Sequence, residues 1–173
     1  MGRDPRRGKV GTGMFRVVAV GGTFDELHRG HRALLRRAFE VGDHVLIGLS
    51  SDEFAGRMGK PHEVAPYERR LRELRALLTE WGVDGRAEII PLNDPYGVTL
   101  SNGHVEAIIV SRETEPKARE INEKRAAMGL PPLQIIVVEM VLAEDGLPIS
   151  TTRIRRGEID REGRLLRRPL PHA

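Results

Sequence analysis

Residues 21–31 contain the first side chains whose types and spacing could do chemistry. They read GGTFDELHRGH and follow an apolar run. Two adjacent glycines let a ligand approach the backbone closely, and a helix that begins near Gly30 directs its N–H groups and the positive end of its dipole towards an anion. His28 and His31, three residues apart across that helix start, would face the same anion.

A histidine pair at this spacing is often only a helix cap or a surface pair. Its position after a predicted strand and a Gly-Gly-Thr turn favours a phosphate site instead. A zinc site is not supported, because no third ligand lies nearby and the chain contains no cysteine.

A second group of polar side chains lies near the other end of the chain, where residues 149–155 read ISTTRIR. A Ser/Thr cluster that opens a helix combines hydroxyl groups with unpaired N–H groups, and an arginine adds positive charge. Taken alone, such a cluster is an ordinary helix cap. Together with the histidine pair, it predicts that Ser150, Thr151, Thr152 and Arg153 bind the β and γ phosphates of a nucleotide.

Buried strands alternate with helices along most of the chain, which predicts βαβ units and a parallel sheet. Ligands of such sheets bind beyond the carboxyl ends of the strands, near the point where the strand order reverses. We therefore predict an α/β fold: a single domain with a Rossmann-like, doubly wound, five-stranded parallel sheet. The predicted strands are 15–20, 44–49, 87–91, 105–110 and 133–139. Helices are predicted over about 30–41, 66–81 and 115–128, and a further helix is predicted to start at 50–53.

Composition limits the class of protein. The 173 residues suffice for one core, no run of eighteen apolar residues occurs, and the N-terminus lacks an apolar signal segment, so we expect a cytoplasmic protein. The net charge is +3, but arginines alternate with acidic residues, as in 68–73, which is typical of solvated helix faces, and only 4% of residues are aromatic. Nucleic acid is therefore not the expected partner.

We expect a disordered basic leader at 1–13, the domain at 14–160 and a C-terminal tail at 161–173.

The two motifs resemble known signatures. HRGH at 28–31 and ISTTRIR at 149–155 are similar to the HxGH and ISSTxIR boxes of the HxGH nucleotidyltransferase superfamily. Within it, GGTFDELHRGHRALL, SDEF at 51–54 and KPHEVAPYERR at 60–70 resemble the phosphopantetheine adenylyltransferase family of archaeal and eukaryotic type, as does 110–114. The resemblance is incomplete after Thr114 and at Arg112, where an acidic residue is common in that family.

The resemblance implies transfer of AMP from ATP to 4'-phosphopantetheine, which gives dephospho-coenzyme A and pyrophosphate by direct in-line attack. It implies that His28, His31 and Lys60 are catalytic, that Thr23 and Lys60 contact the acceptor, and that Mg²⁺ arrives with ATP without a metal site on the protein. Another HxGH nucleotidyltransferase, similar to FAD synthetases or cytidylyltransferases, and a non-catalytic nucleotide-binding protein are the alternatives. The predicted nucleotide contacts are Gly21, Gly22, Thr23, Phe24, Gly30, His31, Ser111, Arg112, Ser150, Thr151, Thr152 and Arg153.

Overall fold

The computed structural model describes residues 14–59 and 63–166. The predicted leader, Lys60 and the last seven residues of the predicted tail lie outside the described residues. Five parallel strands form one sheet in the order β3-β2-β1-β4-β5. The strands are β1 (Phe15–Gly22), β2 (Gly42–Ser50), β3 (Ala87–Leu92), β4 (Ala107–Ser111) and β5 (Gln134–Val138).

Helices cover both faces of this sheet. They are α1 (Arg29–Val41), α2 (Asp52–Arg57), α3 (Tyr67–Glu80), α4 (Glu115–Ala127) and α5 (Thr151–Arg155), with two 3₁₀ helices at Asp84–Arg86 and Gly97–Leu100. The predicted doubly wound five-stranded parallel sheet in a single domain is confirmed.

The strands are apolar on both faces because each face packs against helices. On one face, Val18 and Ile47 pack with Leu35 of α1 and Leu74 of α3. On the other face, the core includes Ala19, Leu46 and Ile108 of the sheet with Ala118 and Ile121 of α4. This two-sided burial explains why the strand sequences are continuous apolar runs.

The strand order reverses at β1, and the pairing of β1 differs on its two sides. Its pairing with β4 ends at Val20 and Ile109, whereas its pairing with β2 continues to Gly22 and Leu49. The last residues of β1 therefore extend beyond its β4 neighbour at the switch point. This is where ligands bind in doubly wound sheets.

Residues after β5 form a small satellite cluster with its own apolar centre of Ala143, Ile149 and Ile159. Arg161, in the predicted tail, accepts a hydrogen bond at its carbonyl from Arg29 N at the start of α1 (2.9 Å). In the parts of the chain that the structure describes, no helix is long and apolar enough to cross a membrane.

Candidate active site

The loop after β1 contains two non-glycine residues in the left-handed conformation, Phe24 (φ 51°) and Glu26 (φ 59°). Such residues cost on the order of 1–3 kcal/mol each and persist only where the surrounding structure holds them. Asp25 stands between them and is 1% exposed. Its carboxylate accepts Arg155 Nε and Nη2 at 2.9 Å each and Ala65 N at 3.1 Å. These contacts hold the loop in its strained form.

The two histidines of the first motif are stacked at the start of α1, with ring centroids 3.6 Å apart. His28 is the N-cap, and its Nδ1 accepts Gly30 N (3.0 Å) and His31 N (3.3 Å). His31 Nδ1 accepts His28 N at 3.2 Å. Because each Nδ1 accepts a backbone N–H, the proton of each neutral ring lies on Nε2. The pair thus carries two Nε2–H donors side by side.

Gly30 is the glycine of the HRGH sequence, and contact with His28 explains its presence. A Cβ at this position would lie 2.9 Å from His28 Cε1 and 3.0 Å from His28 Nδ1. Carbon atoms pack favourably at about 3.5–4.0 Å, so any larger residue would displace the ring. The glycine therefore sets the position of the first histidine.

The ends of β1 and β2 bring two buried hydroxyl groups together. Thr23 follows Gly21 and Gly22, and its Oγ1 donates to Ser50 Oγ at 3.4 Å. Both residues are buried, at 7% and 1% exposure. The polar groups beneath the loop thus come from the ends of two adjacent strands.

The second motif packs against the loop of the first, although about 125 residues separate them along the chain. Thr151 Oγ1 donates to the carbonyl of Asp25 at 3.0 Å, and Arg155 makes the bidentate pair with the Asp25 carboxylate. Ser150 is the N-cap of α5 and its Oγ accepts Arg153 N at 3.2 Å. Both hydroxyl groups thus make structural hydrogen bonds at the junction of the motifs, and Thr152 lies beside them, half-buried.

The guanidinium group of Arg153 is surrounded by acceptors from its own satellite cluster. Arg153 Nε donates to Glu158 Oε2 at 3.0 Å, Nη1 donates to Pro148 O at 3.2 Å, and Nη2 pairs with Asp145. The hydrogen bond with Arg153 lowers the pKa of Asp145, and the same bond raises the pKa of Arg153. Of the two arginines in the second motif, Arg155 is the one whose side chain contacts the first motif.

Ser111 and Arg112 lie at the carboxyl end of β4. Ser111 N donates to Thr114 Oγ1 at 3.1 Å in the turn that precedes α4. Arg112 forms a two-bond pair with Glu139, with Nε to Oε2 at 3.0 Å and Nη2 to Oε1 at 2.5 Å. This hydrogen bonding raises the pKa of Arg112 and lowers the pKa of Glu139. The pair therefore bridges the ends of β4 and β5 next to the switch point.

Arg70 corrects the interpretation of residues 68–73 as a solvated face, because it is 1% exposed. Its guanidinium donates to three backbone carbonyls from separate segments: Thr23 at 3.0 Å, Ser50 at 2.7 Å and Ala65 at 2.7 Å. It therefore fixes the two strand ends relative to the segment before α3. Its spacing of four residues from buried Leu74 was the signal available in the sequence.

Sequence reasoning also missed an apolar pocket beside the loop after β1. It has an empty volume of ≈ 470 Å³, including space open to solvent, and Gly21 and Gly48 lie on its wall. Tyr96, Val98 and Thr99, between β3 and β4, line it on another side. This segment has no periodic apolar pattern, so nothing in the sequence marked it as a wall.

Lys60, predicted to be catalytic, lies outside the described residues. Within 14–59 and 63–166, no group of three or more His, Asp or Glu side chains could hold a metal ion.

Comparison with known proteins gives a consistent family. The cytidylyltransferase-like family matches residues 19–157, which include both motifs. A phosphopantetheine adenylyltransferase from Methanothermobacter thermautotrophicus is 51% identical over 154 residues, covering 89% of this chain and 92% of the relative. Another, from Methanopyrus kandleri, is 51% identical over 146 residues, covering 84% and 92%. The chain belongs to the phosphopantetheine adenylyltransferase family.

This membership confirms the resemblance of the two motifs, and adenylyltransferases are nucleotidyltransferases, so the predicted class of enzyme is confirmed as well. Among solved structures, a protein of unknown function from Archaeoglobus fulgidus matches this family member with a TM-score of 0.64 and 33% identity. The match covers 72% of this chain and 89% of that one.

Proposed function

We propose that this protein transfers AMP from ATP to 4'-phosphopantetheine, which gives dephospho-coenzyme A and pyrophosphate and serves coenzyme A biosynthesis in the cytoplasm. The observation that carries the proposal is the stacked histidine pair at the switch point, in which each Nδ1 accepts a backbone N–H, so that Nε2 is the atom left to donate. The names of relatives that share half of the sequence support the choice of acceptor.

The reaction needs no nucleophile from the protein. An oxygen of the 4'-phosphate attacks the α-phosphorus of ATP, the new P–O bond forms, and the bond from that phosphorus to the bridging oxygen of pyrophosphate breaks. Such transfers depend on positioning and on stabilising charge in the transition state. In this proposal, His28 and His31 donate Nε2–H to the α and β phosphates as negative charge builds on the leaving pyrophosphate.

Other residues hold the two substrates in line. The buried hydroxyl of Thr23, at the end of β1, is proposed to contact both the nucleotide and the acceptor. Lys60, outside the described residues, is proposed to neutralise the attacking phosphate or the transferred group. Gly21, Gly22, Phe24 and Gly30 supply close backbone approach in the same loop.

The second motif is proposed to hold the β and γ phosphates. Its hydroxyl groups and amides lie at the start of α5, which packs on the loop of the first motif through Thr151 and Arg155. Ser111 and Arg112 are proposed nucleotide contacts at the end of β4. For Arg112, binding a phosphate would exchange its exposed pair with Glu139 for another anion, and an exposed pair of this kind is weakened by solvent screening.

The apolar pocket beside Gly21 is proposed to hold the pantetheine arm of the acceptor. Ligand pockets are mostly apolar with a few placed polar groups, and this one has walls of Ile90, Leu92 and Val98 near the polar loop. The arm would lie along the sheet while its phosphate points to Thr23.

Mg²⁺ is proposed to arrive with ATP and to be held by phosphate oxygens and water, as is usual for this cation. When bound, it would supply counter-charge for the triphosphate. The described residues offer it no cluster of three carboxylates or histidines, and a metal carried by the nucleotide requires none.

A panel assay tests the proposal. The purified protein is given ATP or CTP with 4'-phosphopantetheine, FMN, glycerol 3-phosphate or nicotinamide mononucleotide, and pyrophosphate release is measured. We expect release with ATP and 4'-phosphopantetheine to exceed every other combination by at least 10²-fold. A preference for CTP or for another acceptor would reassign the protein within the superfamily.

A further inference from the structure

The segment between β3 and β4 forms one wall of the apolar pocket, and its conformation is fixed locally. Asp94 Oδ1 accepts Tyr96 N and Gly97 N at 2.8 Å each, which closes a tight turn. Gly97 has a φ of +54°, and a Cβ there would lie 2.6 Å from Leu92 Cδ1. The turn therefore directs the Tyr96 side chain by backbone geometry.

Charged side chains of helix α4 that do not line the pocket contact Tyr96 in this wall. Tyr96 Oη donates to Glu120 Oε1 at 2.7 Å, and Glu120 Oε2 accepts Lys117 Nζ at 2.6 Å. Lys117 Nζ and Lys124 Nζ lie 5.4 and 5.1 Å from the centroid of the Tyr96 ring, within cation–π range. Hydrogen bonds from a hydroxyl group to an ionised carboxylate are among the stronger ones in proteins.

The end of the same wall is held by a second side chain of α4. Arg125, 1% exposed, donates to the carbonyls of Thr99 (2.6 Å) and Asn102 (3.3 Å). The wall thus has a fixed beginning at Asp94 and a fixed end at Arg125. Its middle, Tyr96, is held through its hydroxyl by Glu120.

We propose that Glu120 is a positioning residue for acceptor binding, which acts by holding Tyr96 as a preformed wall of the pocket. This inference rests on the proposed function, because it assigns the pocket to the pantetheine arm. Glu120 does not line the pocket, so its effect on the acceptor passes through Tyr96. A side chain that is ordered before binding spares the ligand the cost of ordering it, so loss of Glu120 should weaken acceptor binding by roughly 3- to 10-fold.

The test compares Glu120→Ala, Glu120→Gln and Tyr96→Phe with Glu123→Ala as the matched control. Glu123 is an exposed residue of the same helix and carries the same charge. Glutamine keeps an oxygen that can accept from Tyr96 Oη but loses the charge that pairs with Lys117. Each variant is assayed for kcat and for the KM of both substrates, and 4'-phosphopantetheine binding is measured separately by calorimetry.

We expect Glu120→Ala and Tyr96→Phe to raise the KM and Kd for the acceptor by roughly 3- to 10-fold, with kcat and the KM for ATP within about 2-fold of wild type. Glu120→Gln and the control should stay within about 2-fold for every parameter. The inference is overturned, and the proposed function is left standing, if the acceptor KM of Glu120→Ala equals that of the control. The same holds if the KM for ATP rises as much as the KM for the acceptor. A wild-type protein that neither binds nor adenylylates 4'-phosphopantetheine overturns the proposed function, and the inference with it.

Discussion

Replacement of Gly30 by Ala separates catalytic positioning from stability at the first motif. The new Cβ would lie 2.9 Å from His28 Cε1, and relief to an ordinary contact near 3.5 Å requires a shift of about 0.5 Å in the ring. That shift lengthens the hydrogen bonds from Gly30 N and His31 N to His28 Nδ1, now 3.0 and 3.3 Å. Weakening them costs up to about 1 kcal/mol of stability, and alanine in place of glycine offsets part of this, by less than the ~1 kcal/mol of a helix interior because Gly30 is the second residue of α1.

The two contributions to the stability of this variant are small and opposite in sign, so its melting temperature should stay within a few degrees of wild type. The loss of turnover has no such compensation, because a displacement of about 1 Å in a catalytic group can reduce turnover by about 10²-fold. We therefore expect kcat to fall roughly 10- to 100-fold, with the KM for ATP changed only a few-fold, as measured by pyrophosphate release.

Gly56→Ala is the matched control for this experiment. Gly56 lies in α2, and a Cβ there would meet nothing within 4 Å. We expect normal turnover and equal or slightly higher stability in the control. A folded Gly30→Ala protein with kcat within about 2-fold of wild type would refute the claim that the glycine sets the position of a catalytic histidine.

Three further predictions concern the same site. His31→Ala should keep the fold and bind ATP within a few-fold, but lose roughly 10²-fold or more in kcat; near-normal turnover would remove this histidine from the mechanism. Replacing Ser150 and Thr151 together by Ala should weaken ATP binding by roughly 1–3 kcal/mol in calorimetry and leave AMP binding almost unchanged, whereas equal weakening of both nucleotides would make these residues structural only. Arg153→Met removes the partner that lowers the pKa of Asp145 in the folded protein. The Arg153–Asp145 pair stabilises the folded protein above the unfolded-state pKa of about 3.9, and this stabilisation is lost as pH falls through the lower folded-state pKa. Urea unfolding should therefore show a stability deficit that is largest at neutral pH and shrinks below about pH 4, and a deficit independent of pH would contradict it.

Features that depend on short sequence separations were predictable. The spacing of His28 and His31 placed both at one helix start, and the structure stacks them there. Apolar runs located the five strands because each is buried on both faces. Their ends differ from the predicted ones: β1 continues two residues beyond Val20, since pairing with β2 continues there, and β4 begins at Ala107, two residues later than expected.

Contacts between distant segments could not be predicted, because they depend on how the helices pack. Asp25 and Arg155 are 130 residues apart, and each looks like an ordinary charged residue until α5 packs on the loop after β1. The spacing of Arg70 from Leu74 hints at its burial, but the three carbonyl groups that accept from its guanidinium belong to segments that only the fold brings together. The Arg112–Glu139 pair required knowing that β4 and β5 are adjacent.

The proposed chemistry is tested most directly by product analysis of a single reaction. The purified protein, ATP, Mg²⁺ and 4'-phosphopantetheine are incubated, and dephospho-coenzyme A and pyrophosphate are quantified by mass spectrometry and an enzyme-coupled assay. The proposal predicts that both products form in equal amounts in wild type and fall by roughly 10²-fold in His31→Ala. No dephospho-coenzyme A in wild type, or equal amounts from the variant and wild type, would contradict it.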